Sequence, residues 1–170
     1  INEIPSADSI HGDFEMCQYS KGENYSMNGL PGSFYLWNLP GASNILDDSS
    51  SVVTVDWNTA GNFLISAVEI SSANCTGDTV DSLVLINPAP LTSAIMGTAV
   101  VCPPFNKNLM YYVTGFDSSQ FIWSVSGGVL ISGQGNDTVF ADWDTTGPAW
   151  LKVIEITRDS CIADSSVALN

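Results

Sequence analysis

An internal repeat constrains this chain more than any other feature of its sequence. Six positions in the stretch that ends at Cys75 recur 86 residues later, in the same order, in the stretch that ends at Cys161. The matching pairs are Asp56 and Asp142, Trp57 and Trp143, Gly61 and Gly147, Glu69 and Glu155, Ile70 and Ile156, and Cys75 and Cys161. A constant offset across such different residue types indicates two copies of one structural unit. The 170 residues are therefore predicted to form two small domains.

The start of each repeat sets the domain boundaries. Cys17 matches Cys102 at an offset of 85, and so do the residues that precede them. We predict a lead-in from a preceding repeat over residues 1–16, a first domain over 17–87, a proline-rich rigid joint over 88–101 and a second domain over 102–170. Because the chain opens within a repeat and without a methionine, we expect it to be a piece of a longer protein.

The joint is predicted to be stiff. Pro88 and Pro90 fix φ and push the residues before them towards extended conformations. Leu91, Ile95 and Met96 are apolar, so we expect them to pack against one or both domains, and the lead-in should pack in the same way against a preceding module. The two domains should therefore lie end to end in an elongated arrangement.

Both repeats predict short β-strands and no helix. Runs of β-branched and aromatic residues alternate with turn signals rich in glycine, asparagine, aspartate and proline. The predicted strands of the first repeat are 25–28, 34–39, 52–57, 63–70 and 79–86. Those of the second are 109–114, 120–125, 129–131, 138–143, 149–156 and 167–169. Such a pattern is typical of an all-β Greek-key β-sandwich, here present twice in tandem.

The charge balance excludes two classes of partner. The chain carries 18 acidic and 4 basic residues, for a net charge of −14. A surface of this sign repels phosphate backbones and anionic lipid headgroups, so we expect no nucleic acid partner. No apolar run approaches the roughly 18–20 residues that cross a bilayer, so we expect no direct membrane insertion. The acidic residues are scattered, which favours a solvated surface over cation binding.

The four cysteines are distributed as one pair in each repeat. Cys17 and Cys75 belong to the first, and Cys102 and Cys161 to the second. Four cysteines allow three pairings, and only Cys17–Cys75 with Cys102–Cys161 keeps each bond within one repeat. Zinc binding is disfavoured because no two cysteines are closely spaced and His11 is the sole histidine. Disulfides would place the protein outside a reducing cytosol, with buried free thiols as the alternative.

One motif carries a resemblance to a known family. The second repeat reads Phe-Ile-Trp-Ser-Val-Ser-Gly-Gly over 121–128 and Gly-Gln-Gly over 133–135, followed by the Val-x-Asp-Trp and cysteine positions above. This pattern resembles the PKD-like, immunoglobulin-type repeats of very long surface proteins of Bacteroidota, including the SprB-like gliding-motility adhesins exported by type IX secretion. The first repeat departs from it, because Tyr-Leu-Trp-Asn-Leu-Pro-Gly over 35–41 lacks Gly-Gly and Asp-Asp-Ser-Ser over 47–50 replaces Gly-Gln-Gly.

The resemblance implies two tandem PKD-like or immunoglobulin-like domains of a secreted or cell-surface stalk. Its partners would be neighbouring repeats of the same chain, and surface glycans or other cell-surface proteins. It implies no catalytic residue. The residues agree, because His11 lies beside no serine or cysteine nucleophile and no helix follows Gly133-Gln134-Gly135. We therefore predict that the protein is not an enzyme.

Several residues are predicted to be structural. Trp37 and Trp123 stand where sandwich domains pack a tryptophan against a bridging disulfide. Asp-Trp, at 56–57 and 142–143, ends a strand before a turn that includes Gly61 or Gly147. Glu69 and Glu155 have the inward parity of their strand, which favours a hydrogen-bonded structural carboxylate over a ligand-binding acid. Trp150 is either an exposed contact for sugar or a neighbouring domain, or an apolar residue under a loop.

Other positions carry weaker signals. No cofactor is expected, but calcium is an alternative, with oxygen ligands from the acidic residues near the domain ends: Asp8, Asp13, Glu15, Asp78 and Asp81. Five positions resemble the Asp-Ser/Thr-apolar acceptor for O-glycosylation in Bacteroidota: Ser9, Thr79, Ser82, Thr138 and Thr145. The leading prediction is a non-catalytic structural module of an extracellular stalk, filament or adhesin. The alternative is a carbohydrate- or calcium-binding module of a secreted protein.

Overall fold

The computed structural model describes residues 3–6, 9–102, 106–144 and 148–162, and all the regular structure within them is β-strand. The chain divides into two compact units, Ile1–Pro88 and Ala89–Asn170. Each unit encloses its own hydrophobic core. The all-β class predicted from the sequence is therefore confirmed, with one unit for each copy of the repeat.

The first unit is a sandwich of seven strands. They are β1 (Glu15–Cys17), β2 (Ser20–Ser26), β3 (Phe34–Asn38), β4 (Ala42–Leu46), β5 (Val52–Trp57), β6 (Gly61–Ile70) and β7 (Thr76–Asn87). One sheet has the order β1-β7-β6-β3 and the other β2-β5-β4. The short strand β1 pairs with β7 in parallel, and all other pairs are antiparallel. Because β3 pairs with β6 instead of β2 or β4, the chain crosses between the sheets as a Greek key requires.

The second unit repeats this plan. Its strands are β8 (Met96–Gly97), β9 (Leu109–Tyr112), β10 (Gln120–Ser126), β11 (Gly128–Ser132), β12 (Thr138–Trp143) and β13 (Trp150–Ile156). One sheet has the order β11-β12-β9-β8, and β10 pairs with β13 in the other. The predicted strand over 167–169 lies outside the described residues. The β8–β9 pairing has its counterpart in the first unit in the bridge between His11 and Ser26.

The cores lie between the sheets, where alternate residues of each strand point inward. On β5 the inward residues end at Trp57, which is fully buried, and on β6 they include Ile65 and Glu69. The same parity buries Leu151 and Glu155 on β13. The inward parity that the sequence predicts for Glu69 and Glu155 is thus the parity of the structure.

The lead-in and the joint differ from the prediction. Ile10 is only 4% exposed and belongs to the core of the first unit. Ile95 has the same place in the second unit. Of the predicted lead-in, Ile10 therefore contributes to the core of the first unit, with Phe14 and Met16 packed against it. Leu91 and Met96, expected to pack, are 87% and 51% exposed.

Candidate functional site

The cysteines do not pair within the repeats as predicted. Cys75 and Cys102 are free thiols, whereas Cys17 and Cys161 are disulfide-bonded. In the first unit, Cys17 lies beside Asn87 in the parallel pairing of β1 with β7, and Cys75 comes immediately before the first residue of β7. At about 3.3 Å per residue, β7 separates the two cysteines by roughly 40 Å. A disulfide requires Cα atoms within about 7 Å, so Cys17–Cys75 cannot form.

The same geometry separates the cysteines of the second unit. Cys161 follows the far end of β13, which pairs with the start of β10. Cys102 is four residues from Asn106, whose carbonyl accepts the N–H of Trp143 at 2.9 Å, at the other end of the unit. The length of β13 is roughly 23 Å, and four residues span at most about 14 Å. The pairing predicted from the spacing is therefore wrong for both repeats.

Two tryptophans take matching positions without an intradomain disulfide beside them. Trp37 is half-buried against the first core, and its indole N–H donates to the Ser50 carbonyl at 3.0 Å. Trp123 is 2% exposed and donates to the Asn136 carbonyl at 2.8 Å. The hydrogen bond of each indole therefore connects β3 or β10 to a loop of the same unit.

A buried carboxylate occupies the same place in each unit. The side chains of Glu69 and Glu155 are fully buried. Glu69 Oε1 accepts the N–H of Leu30 at 2.7 Å, and Glu155 Oε1 accepts the N–H of Phe116 at 2.6 Å. Each acid therefore holds the loop between two strands, as the structural interpretation predicts.

A glycine makes room for each of these carboxylates. A Cβ atom at Gly29 would lie 2.5 Å from the Glu69 carboxyl carbon, and one at Gly115 would lie 2.5 Å from that of Glu155. Real Cβ atoms essentially never approach so closely, so a side chain at either position would have to displace the carboxylate. These two glycines recur at an offset of 86, which was the sequence signal for their role.

The second oxygen of each carboxylate has a different environment. Glu155 Oε2 accepts the hydroxyl of Thr92 at 2.7 Å. Glu69 Oε2 is buried without a hydrogen-bond partner among the described residues. At the offset of 85, the counterpart of Thr92 is Ala7, which has no hydroxyl and lies outside the described residues. Beside Glu69, the pKa of Tyr35 is raised, first by burial and then by the charge of this carboxylate.

The Asp-Trp pairs link strand ends to loops and to the core. Asp56 Oδ1 accepts the N–H of Gly22 at 2.9 Å, and Asn44 donates to Oδ2 at 2.6 Å. The bond from Asn44 and the backbone bond lower the pKa of Asp56. Trp57 is buried and donates to the Tyr25 hydroxyl at 3.2 Å, with the two rings edge to face.

The second repeat copies this arrangement. Asp142 Oδ1 accepts the N–H of Asn108 at 2.6 Å. Trp143 donates to the Tyr111 hydroxyl at 2.9 Å, again edge to face. Lys107 adds ion pairs with Asp142 at 3.4 Å and Asp144 at 2.6 Å, and the bond with Asp144 raises its pKa. Gly61 begins β6, whereas Gly147 lies outside the described residues.

The acidic candidates for calcium do not converge. Asp78 and Asp81 are three residues apart on β7, so their side chains point to opposite faces. Glu15 pairs with Leu85, four residues further along β7 than Asp81 and thus roughly 13 Å away. Glu15 accepts a hydrogen bond from Asn87, and Asp13 is exposed. The described residues contain no group of three or more histidine, cysteine or acidic side chains that could hold a metal ion; Asp8 lies outside them.

The remaining predicted positions are on the surface or near it. Thr79 is exposed, Ser9, Ser82 and Thr138 are half-buried, and Thr145 lies outside the described residues. Trp150 is 40% exposed, on the outward face of the second unit where Leu64 stands in the first. His11 is exposed and its Nε2 lies 3.3 Å from the Ser9 hydroxyl, so the prediction that no serine lies beside it is wrong. The described part of the chain contains no helix long and apolar enough to span a membrane.

A shallow groove of about 460 Å³ lies at the loop end of the second unit. Its lining includes Gly115, Asp117 and Asp137. No serine, histidine and acid constellation lies in it, since the single histidine belongs to the other unit.

A comparison with protein-family models supports the second repeat. Residues 88–169 match the model of the PKD-like domain family, which corresponds to the second repeat. Together with the all-β sandwich, this match supports a PKD/immunoglobulin-like repeat. No curated protein is significantly similar to the chain.

The chain is also similar to solved structures, all at low sequence identity. The D00-D0 domain of intimin has a TM-score of 0.42 at 11% identity, covering 98% of this chain and 97% of that one. The I-band fragment I67–I69 of titin has a TM-score of 0.43 at 10% identity, covering 100% and 66%. The fibronectin(III)-like modules of Clostridium thermocellum CbhA have 0.39 at 19% identity, covering 97% and 92%.

Proposed function

We propose that the two units are non-catalytic structural modules of an extracellular stalk, filament or adhesin, arranged end to end. One observation carries this proposal: three structural contacts occur at equivalent positions of both units. They are a buried carboxylate that accepts a hydrogen bond from a loop N–H, an edge-to-face Trp-Tyr pair, and a hydrogen bond from an indole to a loop carbonyl. Side chains that recur in this way stabilise the fold of both units.

The segment between the units supports a stiff connection. In the first unit, the Asn87 carbonyl accepts the N–H of Gln18 at 2.7 Å. In the second, Thr92 is anchored on Glu155. Residues 88–91 alone lie between these two anchors, and two of the four are prolines. So short a segment spans at most about 14 Å and has little freedom to bend.

The location proposed is the cell surface or the extracellular medium. Its support is the presence of disulfide-bonded cysteines, which a reducing cytosol would not maintain. A surface with a net charge of −14 also favours high solubility over association with nucleic acid. The resemblance to Bacteroidota adhesin repeats extends the proposal to type IX secretion and gliding motility, which fluorescence microscopy of the tagged parent protein would test.

Small-angle scattering of the chain tests the arrangement. The twelve residues of β7 give a unit length of roughly 40 Å, so two units end to end should extend to roughly 80 Å. A maximum dimension near 50 Å would contradict the stalk proposal, and so would a broad distribution of dimensions.

A binding module is the second candidate. The observation that favours it is Trp150, which exposes 40% of its surface on the outward sheet face, opposite Ser126 of β10. A glycan array with the chain, run with and without calcium, tests it against Trp150→Ala. Binding that is lost in the variant would support a carbohydrate-binding role, and binding that the variant retains would exclude Trp150 as the contact.

A further inference from the structure

The bonded and the free cysteines differ in a systematic way. Each repeat has a first cysteine, Cys17 or Cys102, and a second cysteine, Cys75 or Cys161. The first cysteine of repeat one and the second cysteine of repeat two are disulfide-bonded. The two free thiols are their exact complement, the second cysteine of repeat one and the first of repeat two.

The free Cys75 sits in the same loop as the bonded Cys161. The Cys75 carbonyl accepts the N–H of Ser71 at 2.9 Å, and the Cys161 carbonyl accepts that of Thr157 at 2.9 Å. The N–H of Cys75 donates to the Ser71 hydroxyl at 3.1 Å, and that of Cys161 to the Thr157 hydroxyl at 3.0 Å. The residue before each cysteine has positive φ, 60° at Asn74 and 64° at Ser160.

This match means that the backbone presents both thiols in the same way. One of the two loops already holds a half-cystine. The Cys75 loop therefore has the backbone geometry of a loop that holds a half-cystine, and only the partner thiol is lacking.

The first cysteines also occupy equivalent segments. Each lies five residues after a glycine that packs on a core tyrosine, Gly12 on Tyr25 and Gly97 on Tyr111. A Cβ atom at either glycine would collide with that ring. Cys102 is exposed, so its thiol is accessible to a partner.

The first cysteine lies at the end of its unit where the chain leaves. Cys17 pairs with Asn87, the last residue of β7, and Cys102 is near Asn106 at the corresponding end of the second unit. The second cysteine lies at the end where the chain enters. Cys75 is two residues before Gly77, against which Pro5 of the lead-in packs.

Cys161 has the equivalent position in the second unit. It follows the strand that carries Glu155, on which Thr92 of the entering segment is anchored. At the proposed joint between this chain and a further repeat, the leaving end of one repeat would face the entering end of the next. Cys102 would then face the second cysteine of a following repeat, whereas the two cysteines of one repeat lie at opposite ends of it.

From these positions we infer that Cys102 forms a disulfide with the second cysteine of a repeat that follows this chain, and Cys75 with the first cysteine of a repeat that precedes it. Cys102 and Cys75 are then covalent attachment sites for further repeats of this kind. The inference deepens the stalk proposal and rests on its tandem arrangement.

The chemistry is a thiol–disulfide exchange with a low-molecular-weight disulfide as oxidant. The Cys102 thiolate attacks one sulfur of that disulfide, and the first small thiol leaves. The Cys75-type thiolate of the next repeat then attacks the Cys102 sulfur and displaces the second small thiol. One protein disulfide forms, two protein thiols lose two protons and two electrons, and the oxidant gains them as two thiols.

A direct fusion of two complete chains tests the inference. Ile86 follows Ile1 by 85 positions, and Ile1 of a second copy placed after Asn170 would follow Ile86 by the same number. The fusion thus keeps the repeat period without an added linker. In a glutathione redox buffer, we expect Cys102 of the first copy to bond with Cys75 of the second, as identified by non-reducing peptide mapping.

The thiol count gives a second readout. Each copy has two free thiols, so the fusion has four if no bond forms and two if the expected bond forms. Changing Cys102→Ser in the first copy should abolish the bond and leave three. Four reactive thiols in the unchanged fusion, or Cys75 joined to Cys102 of its own copy, would overturn the inference. Scattering of the same fusion after reduction tests the end-to-end arrangement separately, so a failure of the stalk proposal can be told from a failure of the disulfide.

Discussion

Replacing Thr92 by valine should destabilise the second unit through a single buried hydrogen bond. The Thr92 hydroxyl donates to Glu155 Oε2 at 2.7 Å. Thr92 is 9% exposed and Glu155 is fully buried, so water cannot easily replace the lost donor. Valine has nearly the shape of threonine, and the change therefore removes the hydrogen bond with little effect on packing.

The magnitude follows from the charge of the acceptor. Hydrogen bonds to charged groups contribute about 1.5–3 kcal/mol, more than those between neutral groups. We expect Thr92→Val to lower the free energy of unfolding of the second unit by about 2 kcal/mol. For a domain of this size that corresponds to a fall in Tm of roughly 8–16 °C.

Scanning calorimetry and urea unfolding measure the change. Thr98→Val is the matched control, because the Thr98 side chain is exposed and the same replacement there should stay within about 0.5 kcal/mol. The double variant Thr92→Val/Glu155→Gln should lose less than the sum of the two single losses, because both remove one interaction. An unchanged unfolding free energy for Thr92→Val, or strict additivity in the double variant, would refute the reasoning.

Four further outcomes are expected. Gly115→Ala should cost about 1–3 kcal/mol, because its Cβ would displace the Glu155 carboxylate; a wild-type urea midpoint would contradict this. Trp57→Ala should cost about 3–5 kcal/mol, because the side chain is fully buried, and a small loss in urea unfolding would show that it contributes little to the core. Burial raises the pKa of Tyr25 to about 12 from 10.0, so its contribution is complete below pH 10 and is lost as pH rises towards 12; Tyr25→Phe should reduce that slope of unfolding free energy, and an equal slope would exclude Tyr25 as its source. A maleimide should label the exposed Cys102 faster than the half-buried Cys75, and Cys17 and Cys161 only after reduction; equal labelling of all four before reduction would argue against the assigned redox states.

The strand pattern was readable because it depends on short-range properties. The alternation of apolar and polar residues along β6 and β13, with turn residues at their ends, predicts both strands and their inward faces. The strand β4 was missed, since Ala42–Leu46 follows Pro40-Gly41 and includes two polar residues. Its pairing with β5, and not its own composition, makes it a strand.

The lead-in shows what the repeat alone leaves open. The repeat identifies equivalent residues but does not say to which core a shared apolar position belongs. Ile10 precedes the first cysteine, and only its packing assigns it to the first unit. Thr92 and Glu155 lie 63 positions apart, and no periodicity brings such a pair together.

The sequence by itself determined the number of units, their equivalence and their β-class, because the offset of 86 and the strand periodicity can both be read from the order of residues along the chain. The tertiary structure alone decided the redox state of the cysteines. Spacing suggests bonds within each repeat, but β1 runs parallel to the end of β7 and places Cys17 a full strand length from Cys75. Disulfides form between atoms that are close in space, and strand direction sets which ends of a sandwich are close.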